Sequence, residues 1–164
     1  MAKRYWLMKC EPAAYTIHDL ARDGSTSWEG IRNYQARNFI RDDMNEGDGV
    51  LFYASNADPS GVTGVAEISR GGYPDEFAWK KGHEYFDEAS TKAVPVWYSV
   101  DIKFVEAFPD VVPLETLKAT PGLENMLVTR KGSRLSIQPV TKPEFDIVRR
   151  LGRSASGKKV RGDA

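Results

Sequence analysis

One cysteine, Cys10, is all the sequence offers among 164 residues, so no internal disulfide forms. There are two histidines, His18 and His83, and neither a Cys-x-x-Cys nor a His-Glu-x-x-His spacing. Metal chemistry therefore lacks a ligand set, and neither a metal nor a cofactor is expected. His83 and Asp87 would share a face of a helix, but two ligands do not make a site. No apolar run approaches the ~18 residues of a membrane span, and no secretory signal is visible. With so little cysteine, the expected compartment is the cytoplasm, or the nucleus in a cell that has one. Net charge is missing too, because 23 basic and 23 acidic side chains cancel. A chain of this balance is no general polyanion binder, so any nucleic-acid contact must come from a local patch.

What is present is enough for one domain with its own core. "RYWLMKC" alternates in β-prone residues and predicts a strand that stops at Glu11-Pro12. "TIHDLARDG" predicts a short helix capped by Thr16 and Asp19 and closed near Gly24. "GDGVLFYAS" and "GVTGVAEIS" read as two strands around the turn-rich "NADPSG". Residues 71–95 lack periodicity and read as a long insertion-like loop, a length more often functional than idle. In "VPVWYSVDIKFVEAF", Val96, Tyr98, Val100, Ile102 and Phe104 fall on one strand face. "PLETLKA" is a short helix, "SRLSIQPV" a strand, and "TKPEFDIVRRLGR" a closing helix with a Thr141…Glu144 capping box. The small, basic segment 154–164 is expected to be disordered, leaving 1–153 as the domain. Strands and short helices outside βαβ alternation predict an α+β fold around a small, bent, barrel-like sheet of five or six strands.

The densest stretch is "WEGIRNYQARNFIR", from Trp28 to Arg41. On a helical wheel Ala36, Phe39, Ile40 and Met44 share one side, while Tyr34, Arg37, Asn38 and Arg41 form the opposite face. Arg32 and Asn33 sit at the helix entry, where free backbone N–H groups favour an anion. "WEGIR" reads as a loop, and a loop tryptophan suits either stacking or plugging the core.

Taken together, "YWLMKCEP", "WEGIRNYQARNF", "GDGVLFYASN", "GVAEI", "YPDEFAW", "HEYFD" and "RLSIQPV" resemble the EVE domain family over Tyr5 to Leu151. Cys10 departs from that pattern, where serine is more frequent, and a thiol is the poorer hydrogen-bond donor. The resemblance implies a PUA-like bent barrel, related to the YTH and SRA domains that bind a modified base flipped into an aromatic pocket. It implies Trp28 and Trp79 as opposite walls, with Tyr34 and Tyr53 as further aromatics. Asn33, Ser55 and Asn56 would offer donors and acceptors to the base edge. Lys9, Arg32, Arg37 and Arg134 would meet phosphates. The expected partner is DNA or RNA carrying a modified, methylated base, and a second chain would have to supply any nuclease. Two other readings stay open. Kinship with ASCH-type amidohydrolases would make Lys9 and Glu67 a catalytic pair. Alternatively, the loop 71–95 would be a protein-interaction surface.

Overall fold

A computed structural model describes residues 3–28, 33–130 and 135–163. Six strands form one sheet in the order β2-β5-β4-β3-β1-β6. They are β1 (Tyr5–Cys10), β2 (Ser25–Trp28), β3 (Gly49–Ala54), β4 (Gly61–Pro74), β5 (Tyr98–Pro113) and β6 (Ile137–Val140). The β1 and β3 strands are parallel, with Lys9 beside Tyr53, and every other pairing is antiparallel.

The helices are α1 (Ile17–Asp23), α2 (Tyr34–Asn38), α3 (Leu114–Ala119) and α4 (Lys142–Asp163). Both predicted capping boxes form. The Thr16 hydroxyl accepts from the Asp19 amide while the Asp19 carboxylate accepts from the Thr16 amide. Thr141 and Glu144 do the same at α4. That helix runs on to Asp163, through the segment for which the sequence predicts disorder. Once a packed turn is nucleated, each further residue adds a hydrogen bond at small cost. Among the described residues no helix is long and apolar enough to cross a membrane.

Sequence patterning predicts a barrel, and the sheet is open instead. Its edge strands β2 and β6 pair only with β5 and β1. Closure needs edge-to-edge hydrogen bonds, and here helices cover both faces in its place. On one face Trp6, Met8, Val50, Phe52, Val100 and Ile102 pack against Leu20 of α1, Ala36 of α2 and Ile40. On the other, Leu7, Leu51, Tyr53 and Phe108 pack against Leu117 of α3 and Phe145 and Val148 of α4. A strand covered on both sides carries an unbroken apolar run, which is why all six residues of β3 are buried. Register shifts between Val62 and Gly64, and between Val65 and Ala66, leave extra residues in β5 opposite β4 and bend the sheet.

The two longest strands exceed their expected bounds. β4 continues through Gly71-Gly72 to Pro74, so the predicted loop begins later. Phe39–Asp43, continuing α2 as a π-helical turn, explains the glycines. A Cβ on Gly72 would sit 2.2 Å from the Ile40 carbonyl oxygen. β5 starts at Tyr98, so Val96 lies outside it; Val100 and Ile102 are buried as predicted.

The rest of residues 71–95 is tied down. Glu76–Trp79 is a 3-10 turn, and the Asp87 amide donates to the Ala78 carbonyl at 2.7 Å. The buried Trp97 indole donates to the Asp87 carboxylate at 2.6 Å, and the Val96 amide donates to the Ser90 hydroxyl. His83 stacks on Phe77 with ring centres 4.4 Å apart. His83 and Asp87 are thus both engaged in pinning the segment.

Candidate nucleic-acid interface

Trp28 is the last residue of β2, a strand the sequence does not announce, rather than a loop residue. It sits opposite Val100 of β5 and is 9% exposed. Its ring meets Phe52 edge-on at 5.8 Å. Trp28 belongs to the core, as a plug would, and it also lines a concavity of about 370 Å³. Lys9, Cys10 and Glu11 line that concavity from the end of β1, Ala14 and Tyr15 from the segment before α1, and Thr26 and Ser27 from β2.

The hollow mixes the apolar surfaces of Ala14, Tyr15 and Trp28 with the charged Lys9 and Glu11 and the hydroxyls of Thr26 and Ser27. Burial pushes the Lys9 ammonium below its ordinary pKa. It lies 5.8 Å from the Tyr53 ring centre and pairs with no carboxylate among the described residues. Burial and then Glu11 push the Cys10 thiol up, so it stays protonated. Its Sγ lies 3.7 Å from the Glu11 carbonyl oxygen, the long contact expected of a weak donor. Burial, and then the hydrogen bond to Asp23, raise the Tyr15 phenol, which donates to Asp23 at 2.7 Å. Tyr15 is a wall the sequence reading missed; an aromatic two residues after "EPA" was its only signal.

Trp79 lies elsewhere. It lines a neighbouring concavity of about 460 Å³ with Arg70, Tyr73, Phe77 and Ser99, and the two hollows share Ser27. Among the described residues Trp28 and Trp79, expected as opposite walls of one cage, line two different concavities that adjoin at Ser27. Arg70 and Tyr73 were hidden from pattern reading because β4 runs on past its glycines.

The remaining candidates are dispersed. Tyr53 is 4% exposed and packs in the second core cluster, with its hydroxyl pKa raised by burial. Ser55 follows β3, where its amide donates to the Cys10 carbonyl, so it abuts the end of β1. Asn56 has φ 52°, a left-handed turn conformation that asparagine tolerates. Asn33 caps α2 by accepting from the Ala36 amide at 3.0 Å. Tyr34 is 61% exposed and leans on Trp97 at 4.9 Å, with the Arg37 guanidinium 5.1 Å from its ring centre. Arg37 also donates to the Val96 carbonyl, which ties α2 to the segment before β5. Arg41 is paired with Asp42. Arg32 and Arg134 lie outside the described residues.

The catalytic pair is not assembled. Glu67 is bridged by Lys103 at 3.0 Å and stands opposite Gly49, whose other neighbour is Tyr5. Lys9 is at the other end of β1, so the two groups cannot share one substrate atom.

The model of the EVE domain matches residues 4–151. The chain belongs to the EVE domain family. Human thymocyte nuclear protein 1 is 40% identical over 88% of this chain and 72% of its own length. The crystal structure of a Pseudomonas syringae protein, PSPTO5229, superposes with a TM-score of 0.84 at 42% identity, covering 90% of this chain and 98% of that one. The human THYN1 protein, solved in complex with DNA containing 5-methylcytosine, gives a TM-score of 0.81 at 38% identity. It covers 92% of this chain and 98% of that structure. The EVE domain here is thus an α+β, PUA-like fold whose sheet remains open.

Proposed function

We propose that this EVE domain reads a methylated base in DNA, 5-methylcytosine first among them, by receiving the flipped base beside Trp28. The observation that carries the reading is the concavity at the end of β1, with an aromatic wall, neutral hydroxyls, Glu11 and a lysine that has no carboxylate partner among the described residues. The complex of the human relative with 5-methylcytosine DNA supports the choice of ligand. Flipping costs a few kcal/mol, and stacking on an aromatic wall returns roughly 1–3 kcal/mol per base. Trp28 supplies that wall, and its packing on Phe52 fixes the ring before the base arrives. Thr26 and Ser27 present hydroxyls that donate to or accept from a base edge. Lys9, at the rim, meets the phosphate and gives no sequence information. Burying one added methyl contributes about 0.8 kcal/mol, roughly a fourfold preference, so the selectivity of such a pocket is modest unless its shape excludes water.

The test is a titration of otherwise identical methylated and plain oligonucleotides, as DNA and as RNA, at one fixed salt concentration. Wild type should bind the methylated DNA more tightly, and Trp28→Phe, which keeps the core filled, should lose most of that preference. Equal binding of methylated and plain strands by wild type would overturn the reading. Selective binding of the RNA strand alone would move the substrate from DNA to RNA.

A further inference from the structure

We infer that the concavity around Trp79 is a second nucleotide subsite, taking the base next to the one held beside Trp28; this rests on the base-reading function proposed above. The two hollows adjoin through Ser27, so a strand that delivers one base to the first passes the rim of the second. A nucleotide neighbouring a flipped base has lost a stacking partner, and an aromatic plane replaces it. Trp79 offers such a plane, and Ser27 and Ser99 add small neutral hydroxyls.

The platform is built before any ligand arrives. The Tyr73 hydroxyl donates to Asp101 at 2.5 Å, and the Arg70 guanidinium lies 3.7 Å from the Tyr73 ring centre. Arg70 is exposed and forms no ion pair with a carboxylate among the described residues. A guanidinium stacked on a tyrosine keeps its N–H edge free for a phosphate oxygen. Trp79 is held equally firmly: the buried Asp75 carboxylate accepts from the Phe77 amide, and the Asp87 amide docks on Ala78. Acids set the orientation. Asp75 and Glu76 line the same hollow, with Glu76 bridged by Lys80 at 3.6 Å. A phosphate inside would meet these carboxylates, so the neutral base goes in and the phosphate stays at the Arg70 rim.

The test compares 5-methyldeoxycytidine monophosphate with a single-stranded trinucleotide carrying 5-methylcytosine at its centre, both titrated at one salt concentration. Wild type should bind the trinucleotide more tightly than the mononucleotide. Trp79→Ala should weaken trinucleotide binding by about 5- to 150-fold while leaving mononucleotide affinity and the preference for the methyl group unchanged. Arg70→Ala, a surface change with little bearing on folding, should lower trinucleotide binding without changing mononucleotide binding. If both variants bind the trinucleotide as wild type does, the subsite is wrong and the base-reading function stands. If Trp79→Ala weakens mononucleotide binding equally, Trp79 belongs to the first pocket and the subsite is again wrong. If wild type shows no preference for the methylated strands, the base-reading function fails and the subsite falls with it.

Discussion

Trp28 and Trp79 are the same residue type placed by two different kinds of structure. Trp28 ends a β-strand, is nearly buried and presses edge-on against Phe52 in the larger core cluster. Trp79 ends a 3-10 turn in a segment that holds its shape through side-chain hydrogen bonds, and it stays half-exposed. A pocket wall taken from the core is rigid, but losing it damages the fold. A wall carried on a tied-down excursion can change with little effect on the core. Stability and binding should therefore separate at Trp79 and stay entangled at Trp28.

The largest break in that comparison is expected from Trp28→Ala, which should cost about 3–5 kcal/mol in urea denaturation because it empties a core position. Trp79→Ala should cost no more than about 1–2 kcal/mol on the same measurement. Similar losses for the two variants would show that burial does not distinguish them.

Next is Asp87→Ala, which removes the acceptor of the Trp97 indole. It should cost about 1–3 kcal/mol. Hydrogen exchange should quicken in residues 75–90 more than in β1, since the loss falls on the excursion and leaves the sheet intact. Uniform quickening would mean that the segment and the sheet open as one unit.

Lys9→Ala should weaken binding of methylated and plain strands alike and reduce the slope of log affinity against log salt by about 0.7–0.9. Its pH behaviour sharpens the point. Burial lowers the Lys9 pKa, so its charge is lost, and phosphate binding weakens, at a pH where exposed lysines remain charged. Folding linkage has the opposite sign: burying the charged lysine destabilises the fold, and that penalty is relieved as pH rises through the lowered pKa. Lys9→Arg should abolish the alkaline loss of binding. Persistence of that loss in the arginine variant would assign it to another group.

The smallest effect should come from Glu106→Gln, which lies at neither hollow. Burial pushes the Glu106 carboxyl up, but hydrogen bonds from Arg153 and Arg149 outweigh it and hold the pKa below the usual value. Such a group stabilises the fold above its unfolded pKa, and the contribution is lost as pH falls through the lowered folded value. The variant should lose about 1 kcal/mol at neutral pH, less in acid, and bind DNA as wild type does. A change in binding would tie α4 to the interface.

Much of this domain was legible because the signals were local. Thr16 and Asp19, and Thr141 and Glu144, cap their helices through groups three residues apart. Ile40 and Met44 are buried, as helical spacing requires. β2 was not legible, since "STSW" is a strand only because β5 runs beside it. Nor was the extension of β4, whose Gly71-Gly72 reads as a break until the close approach of Ile40 is seen. Tyr53 illustrates the same limit: an aromatic near the expected pocket, turned instead into the second core because the face was decided by β1 and α4.

The sequence by itself determined the family, the α+β class and the residue types available for holding a base, since each is carried by adjacent or periodically spaced residues. Tertiary structure alone decided which of them meet. Strand pairing placed Trp28 with Lys9 and Tyr15, set Glu67 at the far end from Lys9, and put Trp79 in the next hollow. Those distances depend on register between segments far apart in the chain. A shift of one residue would turn each side chain to the opposite face, and no local pattern records that choice.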